Sequence, residues 1–66
     1  MHIRVNGEPR EVLDSMTVAE LLASLDLESV RVAVEVNLEI VPRARYRERR
    51  LAEGDVVEIV SFVGGG

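Results

Sequence analysis

The sequence predicts an α+β fold in which a mixed sheet of four or five strands carries one main helix on one face. Three patterns support this class. Residues 1–6 and residues 30–36 alternate in the way that strands do, and one stretch between residues 17 and 25 has the apolar period of a helix. An Asn-Gly dipeptide near the start marks a hairpin. A ferredoxin-like α+β fold would need a second helix, and no second helical pattern is apparent.

The chain opens with a predicted strand over residues 1–6. Ile3 and Val5 share one face of this strand, and polar residues occupy the other. Asn6 and Gly7 both tolerate the positive φ of a type I′ turn. They therefore predict a tight hairpin directly after the first strand.

A weaker strand precedes the predicted helix. It spans residues 10–13, and Pro9 suits a strand start or a sheet edge because it cannot donate a ladder hydrogen bond. Thr17 and Glu20 then have the spacing of a capping box, which begins a helix. The helix presents one apolar stripe with spacing i, i+3, i+4 and i+7: Val18, Leu21, Leu22 and Leu25.

The clearest strand spans residues 30–36, where four valines alternate with other residues: Val30, Val32, Val34 and Val36. Residues 37–41 predict a turn and a short return strand, which Pro42 ends. The arginine-rich stretch 43–50 has no clear period, so we expect an irregular surface segment.

The last strand is predicted over residues 56–63, after Leu51 re-enters the core and residues 53–55 form a turn. One face of this strand holds Val57, Ile59 and Val63, and the other holds Val56, Val60 and Phe62. Apolar residues on both faces indicate a central strand or one whose outer face meets a partner. The whole order of elements is that of a β-grasp fold, in which the final strand lies beside the first.

Size and composition predict one small aliphatic domain. A chain of 66 residues without cysteine must rely on packing of its Val, Leu and Ile side chains. No apolar run approaches the roughly 20 residues of a membrane helix, so we expect a soluble cytoplasmic protein.

The stretch 43–50 carries five arginines and one glutamate, and the remainder carries three arginines and eleven acids. The acidic body disfavours nucleic acid as a partner and suits a basic protein surface.

The glycines at the end of the sequence are the strongest functional feature. We predict a domain over residues 1–63 and a flexible C-terminal glycine tail over residues 64–66. Three extended residues reach roughly 10 Å, enough to carry the Gly66 carboxylate into a partner's cleft. Gly65 keeps the approach free of side chains, and Gly64 adds reach.

Several motifs together resemble the ThiS family, the sulfur carriers of thiamine biosynthesis. They are Asn6-Gly7-Glu8, the helix sequence 17–22, the stretch from Asn37 to Arg43, Gly54-Asp55, and the diglycine Gly65-Gly66. The likeness covers essentially the whole chain. A diglycine end is also shared with ubiquitin, with the small subunit of molybdopterin synthase and with carriers for tRNA thiolation, and many relatives lack a glycine at the position of Gly64.

The resemblance implies a ubiquitin-like carrier with no enzyme activity of its own. An activating adenylyltransferase of the ThiF type would use ATP to adenylate Gly66, and a cysteine desulfurase or another donor would supply sulfur for a thiocarboxylate. Thiazole synthase of the ThiG type would receive the sulfur. The chain itself would bind no cofactor or metal, and Val60, Phe62 and Gly64 would contact the partners.

Other functions stay open at this point. The same carboxylate could form isopeptides, as in a ubiquitin-like modifier, and the sulfur acceptor could be molybdopterin or tRNA. The arginine stretch with Tyr46 could contact RNA. The single histidine, His2, falls at an outward strand position, which favours a surface role over catalysis. Phe62 could belong to the core, although we favour an exposed docking patch with Val60.

Overall fold

The computed structural model describes residues 1–62, and their fold is the predicted α+β class. The strands are β1 (His2–Val5), β2 (Glu8–Glu11), β3 (Val32–Val36), β4 (Glu39–Val41) and β5 (Val56–Ser61); the helix is α1 (Val18–Ser24). One five-stranded sheet has the order β2-β1-β5-β3-β4. β5 runs parallel to β1 and antiparallel to β3, which confirms the mixed β-grasp arrangement with the final strand beside the first.

The second strand begins earlier than predicted. It spans Glu8–Glu11 instead of residues 10–13, because the two-residue turn closes at the pair Val5 and Glu8 and leaves no gap before the strand. Pro9 consequently lies inside β2. The strand is at the sheet edge, where a residue without an N–H is tolerated. Leu13, beyond the strand, is exposed.

The predicted capping box begins α1. Thr17 Oγ1 accepts a hydrogen bond from the Glu20 backbone N–H at 3.1 Å, and Glu20 Oε1 accepts one from the Thr17 N–H at 2.8 Å. Hydrogen bonds from the Thr17 backbone and side chain lower the pKa of Glu20, since they favour its charged form. The helix buries Val18, Leu21 and Leu22 against the sheet.

The strand predicted over residues 30–36 is shorter in the structure. Val30 lies in a 3₁₀ turn, Ser29–Arg31, and is exposed, so its inclusion in the apolar strand face was wrong. The turn is closed by the Arg31 N–H, which donates to the Glu28 carbonyl at 2.9 Å. Pairing with β5 starts only at Val32.

The core lies between the sheet and α1. Its buried members are Ile3, Val5, Val18, Leu21, Leu22, Val32, Val34, Val36, Val41, Tyr46, Leu51, Val57 and Ile59. Most are aliphatic, as predicted. Tyr46 is the exception, because it comes from the stretch interpreted as irregular surface and yet is only 3% exposed. Its hydroxyl oxygen lies 3.3 Å from the Val32 carbonyl, to which it donates.

The last strand ends at Ser61, and Phe62 follows it. The continuation predicted to residue 63, including Val63 on the inner face, lies outside the described residues. So does the predicted tail with Gly64, Gly65 and Gly66. Within residues 1–62, no helix combines the length and apolar character that crossing a membrane would require.

Candidate functional site: the last strand and its outer face

β5 is the element that leads to the predicted reactive end, and it is fixed on both sides. Val57 pairs with Val5 of β1 and with Val36 of β3. The inner side chains Val57 and Ile59 are 0% and 8% exposed. A central strand that is paired along both edges and packed on one face is a rigid platform for whatever projects from its end.

Asn6, in the turn between β1 and β2, extends the contact of β1 with β5. Its backbone N–H donates to the Val57 carbonyl at 2.9 Å. Its side-chain Oδ1 accepts from the Ile59 N–H at 2.8 Å, and Nδ2 donates to the Ile59 carbonyl at 3.2 Å. The side-chain amide of Asn6 therefore bonds the backbone of Ile59 as the next residue of a paired strand would.

Asn37, in the turn between β3 and β4, holds the start of β5 in a similar way. Its N–H donates to the Val56 carbonyl at 2.8 Å, and its Oδ1 accepts from the Val56 N–H at 2.9 Å. Nδ2 donates to Asp55 Oδ1 at 3.0 Å. Asp55 is only 8% exposed, and its second carboxylate oxygen accepts from the Ala52 N–H at 2.8 Å.

Sequence reasoning identified both asparagines as turn or motif residues and missed their role at β5. Positive φ at an Asn-Gly dipeptide can be read from residue types. The hydrogen-bond partner of the Asn6 side chain cannot be predicted from residue types, because Ile59 lies 53 positions away in the sequence. Only the sheet order brings the two together.

The outer face of β5 is exposed and carries apolar side chains on both sides of Glu58. Val56, Val60 and Phe62 are 42%, 60% and 53% exposed, and Ile40 of β4, on the same sheet face, is 76% exposed. The Phe62 N–H donates to the Arg31 carbonyl at 2.7 Å, so the backbone of this residue remains attached to the sheet region. The structure thus places Val60 and Phe62 at the surface and outside the core cluster. Their docking role stays a prediction.

The arginine stretch 43–50 is partly structural. The Arg43 guanidinium donates to the Ser29 and Val30 carbonyls at 3.2 and 3.4 Å, and Arg45 forms an ion pair with Glu48 at 3.9 Å. Tyr46 is buried, so in this conformation its ring is not available to stack on a base. The aromatic part of the RNA interpretation therefore has no support from the fold.

The polar groups that could serve catalysis are dispersed. His2 is exposed, and its Nδ1 lies 3.6 Å from a Glu53 carboxylate oxygen. Among residues 1–62, no three His, Cys, Asp or Glu side chains are grouped as a metal site would require. Within residues 1–62, β5 combines a backbone that is paired on both edges with exposed apolar side chains on its outer face, and it ends at Ser61.

A β-grasp domain whose last strand leads to a diglycine defines the class of ubiquitin-like carriers and modifiers. Comparison with known proteins narrows the class. Residues 3–66 match the model of the ThiS family, and the chain belongs to that family.

Individual relatives agree with this placement. The sulfur carrier protein ThiS of Bacillus subtilis is 53% identical over 53 residues, 80% of each chain. A thiazole synthase of Paramagnetospirillum magneticum is 50% identical over all of this chain, which spans about 20% of that protein. The crystal structure of the thiamine biosynthesis protein ThiS from Geobacter metallireducens superposes with a TM-score of 0.85 at 38% identity, covering 100% of both chains.

Proposed function

We propose that this protein is a sulfur carrier of thiamine biosynthesis, acting as a protein co-substrate and not as a catalyst. The observation that carries the proposal is the match to the ThiS family over residues 3–66, a range that includes the terminal glycines. The similarity to a thiazole synthase favours thiazole formation over molybdopterin or tRNA thiolation as the destination of the sulfur.

The proposed reaction takes place at the Gly66 carboxylate. An α-carboxyl group has a pKa of about 3.5 and is ionised at neutral pH, which makes it a poor electrophile. Attack of the carboxylate on the α-phosphorus of ATP, bound by the activating partner, expels pyrophosphate and gives an acyl-adenylate. AMP is then a good leaving group at the carbonyl carbon.

Sulfur enters in the next step. A persulfide sulfur on a partner, supplied by a cysteine desulfurase or another donor, attacks the carbonyl carbon and displaces AMP. A thiol reductant then cleaves the S–S bond and leaves the thiocarboxylate on Gly66. Gly65 suits this chemistry because a side chain there would obstruct a narrow channel. Gly64 provides additional reach.

The described residues contribute position and recognition. β5 is the last strand before the terminal glycines in the sequence, and Val60 and Phe62 form the apolar surface on which we propose that the activating enzyme and thiazole synthase dock in turn. Exposed apolar side chains of this kind mark interaction sites. A carrier that serves two enzymes needs such a surface beside the reacting group, so that docking also delivers the carboxylate.

Intact mass tests the proposal. The protein is incubated with a ThiF-type activating enzyme, ATP and a sulfur source, and we expect replacement of one oxygen by one sulfur. Adducts of higher mass on other proteins would instead support a ubiquitin-like modifier; the chain has no lysine of its own. Removal of Gly66 should abolish the mass change while the domain stays folded, and an unchanged product would contradict the proposed site.

Phe62→Ala tests the docking surface separately. Because Phe62 is 53% exposed, its removal should weaken association with the activating enzyme by about tenfold and change the melting temperature by only a few degrees. Leu13→Ala is a matched control, since Leu13 is an exposed apolar residue away from β5. A large loss of stability with unchanged association would assign Phe62 to the core.

A further inference from the structure

Two glutamates face each other in the middle of the exposed sheet surface. Glu35 of β3 and Glu58 of β5 are directly paired in the antiparallel register. Both alternate with inward-facing valine or isoleucine neighbours, so both carboxylates belong to the outer face. The next pair on the same face of the sheet is Ala33 and Val60.

Neither glutamate forms an ion pair with another group of residues 1–62. The ion pairs of the described residues involve the acids Asp14, Glu28, Glu48 and Glu53. Arg4 of β1, opposite Val56 in the register, is the nearest arginine on this face by strand position, and it donates to the Gly7 carbonyl at 2.8 Å. Like charges directly opposite each other destabilise a sheet, so the pair imposes a cost on the isolated domain.

The surroundings of the pair are those of an interface. Ile40, Val60 and Phe62 on the same face are 76%, 60% and 53% exposed. An apolar surface interrupted by an uncompensated acidic pair is complementary to an apolar surface that carries a positive charge. A guanidinium is the best fit, because its planar fork can donate to two carboxylates at once.

We propose that an arginine of thiazole synthase lies between Glu35 and Glu58 when that enzyme covers Val60 and Phe62. This inference rests on the docking surface of the proposed function, and it adds that the partner must place a positively charged side chain on that surface. A second copy of this chain is a poor occupant, since symmetric packing would bring two acidic pairs together. Nucleic acid is repelled by the same carboxylates.

The test measures the affinity of the whole protein for purified thiazole synthase by calorimetry at low and high salt. Glu35→Gln with Glu58→Gln keeps the shape and removes both charges. We expect affinity to fall by about ten- to a hundredfold and its salt dependence to flatten. The melting temperature should stay the same or rise, because the repulsion is removed.

A matched control separates local from overall charge. Asp26→Asn with Glu39→Gln removes the same net charge from exposed positions outside the outer face of the central strands. Its affinity for thiazole synthase should stay within about twofold of the unsubstituted protein. An equal loss in both double variants would overturn the proposal and indicate general electrostatic attraction.

Glu58→Lys provides a second, sharper variant. A lysine opposite Glu35 forms a favourable cross-strand pair, so the domain should be at least as stable, while the site for the arginine is occupied and binding is lost. If binding survives both this substitution and the double glutamine variant but is weakened by Phe62→Ala, the docking surface stands and the arginine inference fails. If Phe62→Ala is also without effect, the proposed docking surface fails as well.

Discussion

The turns of the two hairpins have the same design and differ in sequence at one position. Each has a two-residue turn with positive φ at both positions, closed by Val5 with Glu8 in one hairpin and by Val36 with Glu39 in the other. Each begins its turn with an asparagine whose side chain hydrogen-bonds the backbone of β5. The second position is Gly7 in the first hairpin, and in the second it is Leu38, with φ 69°.

The contrast between Gly7 and Leu38 shows which turn residue serves the turn backbone and which serves the contact with β5. Glycine is the residue that a type I′ turn prefers at its second position. Leu38 accepts an unfavourable backbone conformation and is 83% exposed, so it gains little burial in return. The asparagine is therefore the shared element, and it is the one that contacts the strand leading to the reactive end.

The largest expected effect in this comparison comes from Asn37→Gly. Glycine keeps the turn and the backbone hydrogen bond to the Val56 carbonyl, but it removes the side-chain hydrogen bonds to the Val56 N–H and to Asp55. The Asp55 carboxylate, in a residue that is only 8% exposed, then has one donor fewer. We expect the free energy of unfolding to fall by about 2–3 kcal/mol, measured by urea denaturation. If Asn37→Gly lowers the free energy of unfolding by less than Asn6→Gly does, Asn37 is not the more important of the two asparagines.

Asn6→Gly should have the next largest effect. It removes both side-chain hydrogen bonds to Ile59 and leaves no buried carboxylate behind, so we expect a loss of about 1–2 kcal/mol. Amide hydrogen exchange distinguishes the two variants. Protection should decrease most at Ile59 in Asn6→Gly and most at Val56 in Asn37→Gly; identical patterns would show that the asparagines act only through global stability.

Gly7→Ala tests the backbone requirement of the first turn alone. An added Cβ meets no atom within 4 Å, so the cost comes from φ of +84° and not from a clash. We expect a loss of about 1 kcal/mol in the free energy of unfolding. Gly7→Asn is the control, because asparagine tolerates this conformation, and its loss should be smaller.

Leu38→Gly should have the smallest effect. Relief of the unfavourable φ is offset in part by the greater freedom of glycine in the unfolded chain, so the free energy of unfolding should change by no more than about 0.5 kcal/mol, toward greater stability. Thermal unfolding followed by circular dichroism measures it. A clear destabilisation would mean that Leu38 makes packing contacts important enough to outweigh its strain.

The fold was predictable because local patterns agreed with it. The capping box at Thr17, the valine alternation into β3 and the Asn-Gly turn each indicate one structure, and the order of elements then predicts the β-grasp arrangement. The errors occur where tertiary contacts decide. Val30 continues the alternation in sequence, yet the 3₁₀ turn that ends at Arg31 excludes it from the strand.

The candidate site was less accessible to sequence reasoning. Apolar residues on both faces of the last predicted strand left Phe62 open between the core and a docking patch, and the structure shows that Val60 and Phe62 are exposed. The pairing of Glu35 with Glu58 depends on strand register across 23 positions, and no local pattern fixes that register. The burial of Tyr46 was missed for a similar reason, since a tyrosine among arginines has the composition of a surface loop.

The position of Tyr46 also determines how the protein can be observed. The chain contains one tyrosine and no tryptophan, so absorption near 280 nm comes almost entirely from a single ring. That ring lies in the core with its hydroxyl group on the Val32 carbonyl. Circular dichroism near 280 nm and tyrosine emission therefore report on packing around Tyr46 in the core. Binding of a partner that contains tryptophan can be followed by tryptophan emission, to which this chain does not contribute.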